Sequence, residues 1–88
     1  MEFRWNHWNE AHIGGHGIDP DEVEEVVSGA RSPYPLVGDD DKYLVWGKTE
    51  AGKHLQVVFI IDPDGTIFVI HARSLTEKEK KRFRRRRK

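Results

Sequence analysis

Cysteine is absent from the 88-residue sequence, which excludes a disulfide scaffold, a thiolate nucleophile and a thiolate metal site. Long apolar runs are missing as well. The longest, "VVFII", is far short of the roughly 20 residues that cross a bilayer, and the first residues lack the pattern of a signal peptide. A cytoplasmic protein with no membrane partner is the expectation. There is no internal repeat, and low complexity is confined to the terminal arginines. Net charge is also missing, at a formal +0, but this zero is a cancellation. Residues 1–71 carry 5 Lys and Arg against 13 Asp and Glu, a balance of −8, while residues 72–88 carry 10 against 2, a balance of +8. A basic end on an acidic body points to a polyanionic partner, because clustered Lys and Arg release condensed counterions when they meet phosphates.

What is present suffices for one small folded unit. Three Trp, four Phe and two Tyr supply large apolar surfaces to a chain of modest aliphatic content. The unit is expected to span residues 1–83, followed by a basic tail over 84–88. "EFRW" suits a short strand, and "NHWNEAHI" suits a first helix capped by Asn6 and broken by Gly14 and Gly15. "IDPDEVEEVVSG" is a second helix: Asp19 at the N-cap, Pro20 at the first turn, Glu22 closing a capping box and Gly29 ending it. Ile18 and Val23 have the spacing of a hydrophobic staple, and Val23, Val26 and Val27 form one apolar stripe.

"ARSPYPLVGDDD" reads as loop. "KYLVWGKT", "KHLQVVFII" and "TIFVIHAR" read as three strands joined by the short turns "EAG" and "DPDG", hence an antiparallel meander. Thr76 and Glu79 form another capping box and open a helix that runs into the arginine tract, with Phe83 packed on the sheet. The fold class is therefore α+β. It is an antiparallel sheet of a short N-terminal strand plus a three-strand meander, with two N-terminal helices and one C-terminal helix.

Several residues are candidates for chemistry. Simple alternation places Ile67, Val69, His71 and Arg73 on one face of the last strand, and Thr66, Phe68, Ile70 and Ala72 on the other. A phosphate can dock at the cationic end of the first set, with Arg73 as bidentate partner and His71 exchanging a proton. The plainer alternative pairs Arg73 with a carboxylate and ties a half-buried His71 to backbone. His12 and His16 have the i, i+4 spacing of two metal ligands, but no third ligand matches and the glycines between them interrupt the helix. No metal and no other cofactor is expected, and His16 is read as a loop hydrogen-bonding or proton-transfer group. Trp5 and Trp46 are expected in the core, while Trp8 is a residue that can stack on bases. Lys80, Lys81, Arg82, Arg84 and Arg85 are the candidate RNA-binding set.

Taken together, "FRWNHWNEAHIGGHGI", "EVEEVV", "GKTEAGKHLQVVF" and "VIHARSLTEKEKKRF" resemble, in order and spacing, the BrnT family of toxins from bacterial type II toxin–antitoxin systems. The likeness covers nearly the whole chain. It implies a RelE-like fold, ribonuclease activity that inhibits translation, and neutralisation by a cognate DNA-binding antitoxin of BrnA-like type. The implied assemblies are a homodimer or a toxin–antitoxin heterotetramer. Arg73, Thr76 and Glu79 match the family's closing motif, and His16 with Gly17 match its His-Gly. Lys80 stands where Arg is usual, Phe83 where Tyr is usual and Asn6 where Asp is common. The expected reaction is metal-independent attack of a ribose 2′-hydroxyl on its own 3′-phosphate. Arg73 would stabilise phosphoryl charge, with His71 and His16 as the proton-transfer groups. The alternative, which Phe83 favours, is a non-catalytic RNA- or protein-binding module on a degenerate toxin fold.

Overall fold

In the computed structural model, which describes residues 1–86, each helix starts where side chains capture free backbone N–H groups. Strand β1 (Phe3–Arg4) leads into α1 (His7–Gly14), then α2 (Pro20–Ser28), β2 (Leu36–Val37), β3 (Tyr43–Lys48), β4 (His54–Ile61), β5 (Ile67–Ser74) and α3 (Glu77–Arg86). The capping boxes at Asp19/Glu22 and Thr76/Glu79 both form. So does a third, in which the Asn6 and Asn9 side chains each accept from the other's backbone N–H. The helix over the basic end continues through Arg86, so residues 84–86 are helical rather than a loose tail. Arg87 and Lys88 lie outside the described residues.

The α+β class is as expected, with two differences in the sheet. Among the described residues, five strands form one sheet in the order β1-β5-β4-β3-β2, and β1 runs parallel to β5. The extra strand, β2, lies inside the segment read as loop and pairs only Leu36 and Val37 with β3. Two residues flanked by Pro and Gly carry no periodic signal. The parallel pair joins Phe3 to Ile67, a contact between distant parts of the chain that no local pattern encodes.

The register sorts the sheet into two faces. Val45, Leu55, Val57, Phe59, Ile67, Val69 and Ala72 point to one side and are buried against Val23, Val26 and Val27 of α2, with Ile13 and Ile18. Gly47 is required here, since a Cβ would lie 2.8 Å from Val26 Cγ1. The opposite face carries Trp46, Gln56, Val58, Phe68, His71 and Arg73. Helix α3 lies on this side, with buried Phe83 against His54 and Tyr34, and Tyr34 stacked on Trp46. Among the described residues, no helix is long and apolar enough to cross a membrane.

Simple alternation along β5 fails at one point, and this decides where His71 points. Val58 pairs with His71 while the next residue, Phe59, pairs with Val69, so Ile70 is an extra residue in β5. This β-bulge reverses the side-chain parity. Ala72 rejoins Ile67 and Val69 in the core, while His71 and Arg73 join Phe68 on the other face. Beside the bulge, the fully buried Asn9 side chain donates to the Val69 carbonyl at 3.1 Å and the Arg4 carbonyl at 3.0 Å. It thereby serves the β5 edge where β1 has ended. Replacing Asn9 with Ala leaves two carbonyls without these donors and one backbone N–H without its acceptor. A loss of about 3 kcal/mol in urea unfolding is expected. A loss below about 0.5 kcal/mol would show that the clasp does not hold α1.

Candidate active site

The i, i+4 spacing of His12 and His16 works here through geometry that crosses the glycines. Helix α1 includes Gly14, and His16 N–H donates to the Ile13 carbonyl, so the chain keeps turning instead of departing. Both imidazoles reach the ring that the bulge has turned toward them. His16 lies 5.4 Å from His71 and His12 lies 6.0 Å from it, each edge-on. His71 is half-buried, while His12 and His16 are exposed. Burial foremost, then the charges of His16, His12 and Arg73, lowers the His71 pKa from its ordinary value, so the neutral imidazole is favoured. Among the described residues, no three His, Asp or Glu side chains are arranged to hold a metal ion.

Arg73 shares the face of His71, but its fork is engaged. Its two terminal nitrogens donate to the two oxygens of Glu79, each at 2.8 Å, and further to Gln56 Oε1 and the Ser74 carbonyl at 3.1 Å. Gln56 Oε1 also accepts from Trp46 Nε1 at 2.9 Å. Glu79 accepts from Thr76 N–H as well, so the cap of α3 and the strand-end arginine form one network. The guanidinium hydrogen bond, followed by the Thr76 N–H, holds the Glu79 carboxyl at about 2, well below its ordinary value. The same partner raises Arg73. The plainer of the two readings of Arg73 is therefore the observed contact.

The candidate RNA-binding residues all lie on α3. Lys80 is half-buried and donates to Glu77 at 2.9 Å, whereas Lys81, Arg82, Arg84 and Arg85 are exposed. Helical spacing turns Lys81 and Arg85 away from Phe83, with Arg82 and Arg84 on the flanks. Beneath Phe83, burial and then Lys48, Lys80 and Arg84 lower the His54 pKa. Trp46 is buried as expected; Trp5 is half-buried and donates to Glu24 at 2.7 Å. Sequence reasoning missed three contributors. His12 was visible only as a metal-type pair with His16; Asn9 has a local signal only as the capping-box partner of Asn6, and its bond to Val69, like those of Gln56 to Trp46 and Arg73, joins strands that no local pattern brings together.

Compared with known proteins, the chain matches no family model, no curated protein and no solved structure.

The Arg73–Glu79 pair makes a pH prediction. A carboxyl depressed in the folded state stabilises the fold fully above its ordinary pKa of 4.5 and loses that contribution as pH falls toward about 2. Glu79→Gln is expected to destabilise at neutral pH and to remove the part of the acid destabilisation that falls in this window. Parallel pH–stability curves for variant and parent would exclude the latch. A second expectation concerns Tyr34, whose hydroxyl is buried without a hydrogen-bond partner among the described residues. Tyr34→Phe removes that orphaned group and should raise thermal stability by about 1 kcal/mol, whereas a clear loss would reveal a partner.

Proposed function

We propose that the protein is a ribonuclease toxin of a bacterial type II toxin–antitoxin system. In this reading it acts in the cytoplasm, cleaves RNA without a metal and inhibits translation. The observation that carries the reading is the His71 imidazole set between His16 and His12 on a sheet face that also bears the basic helix. The order and spacing of the motifs that resemble the BrnT family support the toxin class, a RelE-like fold and neutralisation by a BrnA-like antitoxin in a shared complex.

Cleavage of an RNA backbone requires a base, an acid and charge to hold the phosphate. Neutral His71 suits the base and takes the proton of a ribose 2′-hydroxyl. The 2′-oxygen forms a bond to phosphorus, the bond from phosphorus to the 5′-oxygen breaks, and that oxygen takes a proton from the His16 ring. The products are a 2′,3′-cyclic phosphate and a 5′-hydroxyl. His12 stands as a second imidazole able to supply or remove a proton. The exposed cations of α3 attract the RNA backbone, while Arg73 holds the first turn of α3 through Glu79. DNA lacks the nucleophile and would remain uncut.

One observation favours a second reading, a non-catalytic RNA- or protein-binding module. The guanidinium beside the imidazoles is bidentate to Glu79 and so is already occupied by a carboxylate. Purified protein in EDTA separates the two. Cleavage of single-stranded RNA with cyclic-phosphate ends is expected, and His71→Ala should slow it by on the order of 100- to 10,000-fold. The rate should fall as pH drops and His71 gains its proton, with a midpoint below the ordinary 6.5. Binding without cleavage would support the second reading. Activity lost in EDTA and restored by zinc would overturn the metal-free mechanism.

A further inference from the structure

An exposed aromatic side chain stands beside the histidine cluster without a role in proton transfer. Trp8 on α1 is 54% exposed, and it is the sole aromatic among the exposed large hydrophobic side chains of the described residues. Its indole stacks on His12 (centroids 5.0 Å apart, planes 13° apart) and on Phe68 of β5 (6.0 Å, 19°). The Arg4 guanidinium covers Phe68 at 3.9 Å from the ring centre and is itself fixed by Asp62. A row of π-systems and one cation thus runs from Arg4 through Phe68, Trp8 and His12 to His71.

We propose that Trp8, supported by His12 and Phe68, is a stacking subsite for an unpaired nucleobase, which makes single-stranded RNA the substrate class. The proposal rests on the reading of this face as one that handles RNA, but it is separately testable. Three features favour a base as occupant. First, the indole is held in place by two neighbouring rings on rigid elements, so stacking on it costs little side-chain entropy. Second, the sheet face that carries Phe68 also carries α3 with exposed Lys81, Arg82, Arg84 and Arg85, a charge pattern suited to a phosphate chain. Phe68 and Arg73, whose side chain holds the first turn of α3, are five residues or roughly 17 Å apart along β5. Third, His12 links the stacked ring directly to His71, so a base seated there brings its own ribose phosphate near the imidazoles. A duplex keeps its bases stacked inside and offers none to Trp8.

The test uses the full chain and an eight-nucleotide RNA strand whose riboses are 2′-O-methylated, so that it binds without being cut. Binding should quench tryptophan emission in the parent, and Trp8→Phe, which keeps a ring, should remove most of that signal. Trp8→Ala should weaken affinity for the strand by roughly 5- to 150-fold while the protein remains folded at the assay temperature, and Trp8→Phe should weaken it less. A blunt duplex of the same sequence should bind equally to parent and Trp8→Ala. Unchanged affinity of Trp8→Ala for the single strand would overturn the subsite, even if cleavage proceeds. Trp8-dependent binding by a protein that never cleaves would uphold the subsite and sink the nuclease reading. Loss of self-association in Trp8→Ala on sedimentation, with strand affinity intact, would identify a second copy as the occupant and overturn the proposal.

Discussion

The carboxamide of Asn9 is the interaction on which the histidine-bearing face depends. It is fully buried and spans three backbone groups: its oxygen accepts from Asn6 N–H, and its nitrogen donates to the Arg4 and Val69 carbonyls. A buried amide is tolerated only when its bonds are made, so this clasp fixes the start of α1 against the β5 edge. It does so beside the extra residue Ile70. The side of α1 bearing Trp8 and His12 and the reversed half of β5 bearing His71 are thereby brought into contact. Both histidine contacts to His71 follow from that one junction.

The sheet then divides its labour. The α2 side is dry and aliphatic, with Val23, Leu55, Val57 and Val69 fully buried. The other side is only partly covered, because α3 contributes a single buried ring, Phe83, and is otherwise charged. Apolar burial of that size does not hold a basic helix against self-repulsion without further help. The Arg73–Glu79–Thr76 network supplies it, joining the helix cap to the strand end and, through Gln56, to Trp46. Uncovered sheet, imidazoles and exposed cations consequently lie on one side, while the acidic helix α2 lies on the other.

Much of the fold was legible because its signals are local. All three helix starts carry cap residues at readable spacing, and β3, β4 and β5 are apolar runs bounded by turns. The site was less so. His16 and His71 were named from residue type and position, yet the face assigned to His71 was wrong by one residue of register. Arg73 was named as a phosphate donor, and the capping Glu79 that holds it was read only as a helix signal. For His12 the sequence offers only a metal-type spacing, because Gly14 and Gly15 signal a helix break that the structure does not make before Gly15.

The sequence by itself determined the three helix starts, the three long strands, the charge asymmetry and the exclusion of thiol chemistry, since each depends on residue types or on patterns within one turn or one strand. Only the tertiary structure decided which face His71 occupies, that β1 lies parallel to β5, and that Arg73 holds a helix. The parallel pairing joins segments far apart in the chain, as Phe3 is from Ile67, whereas the face of His71 and the Arg73–Glu79 pair depend on how β4, β5 and α3 meet in space. A bulge also leaves no mark in a run of apolar residues: Ile70 is as suited to a regular strand as to an extra position. Its place was set by the energetic need to keep Val69 and Ala72 both in the core.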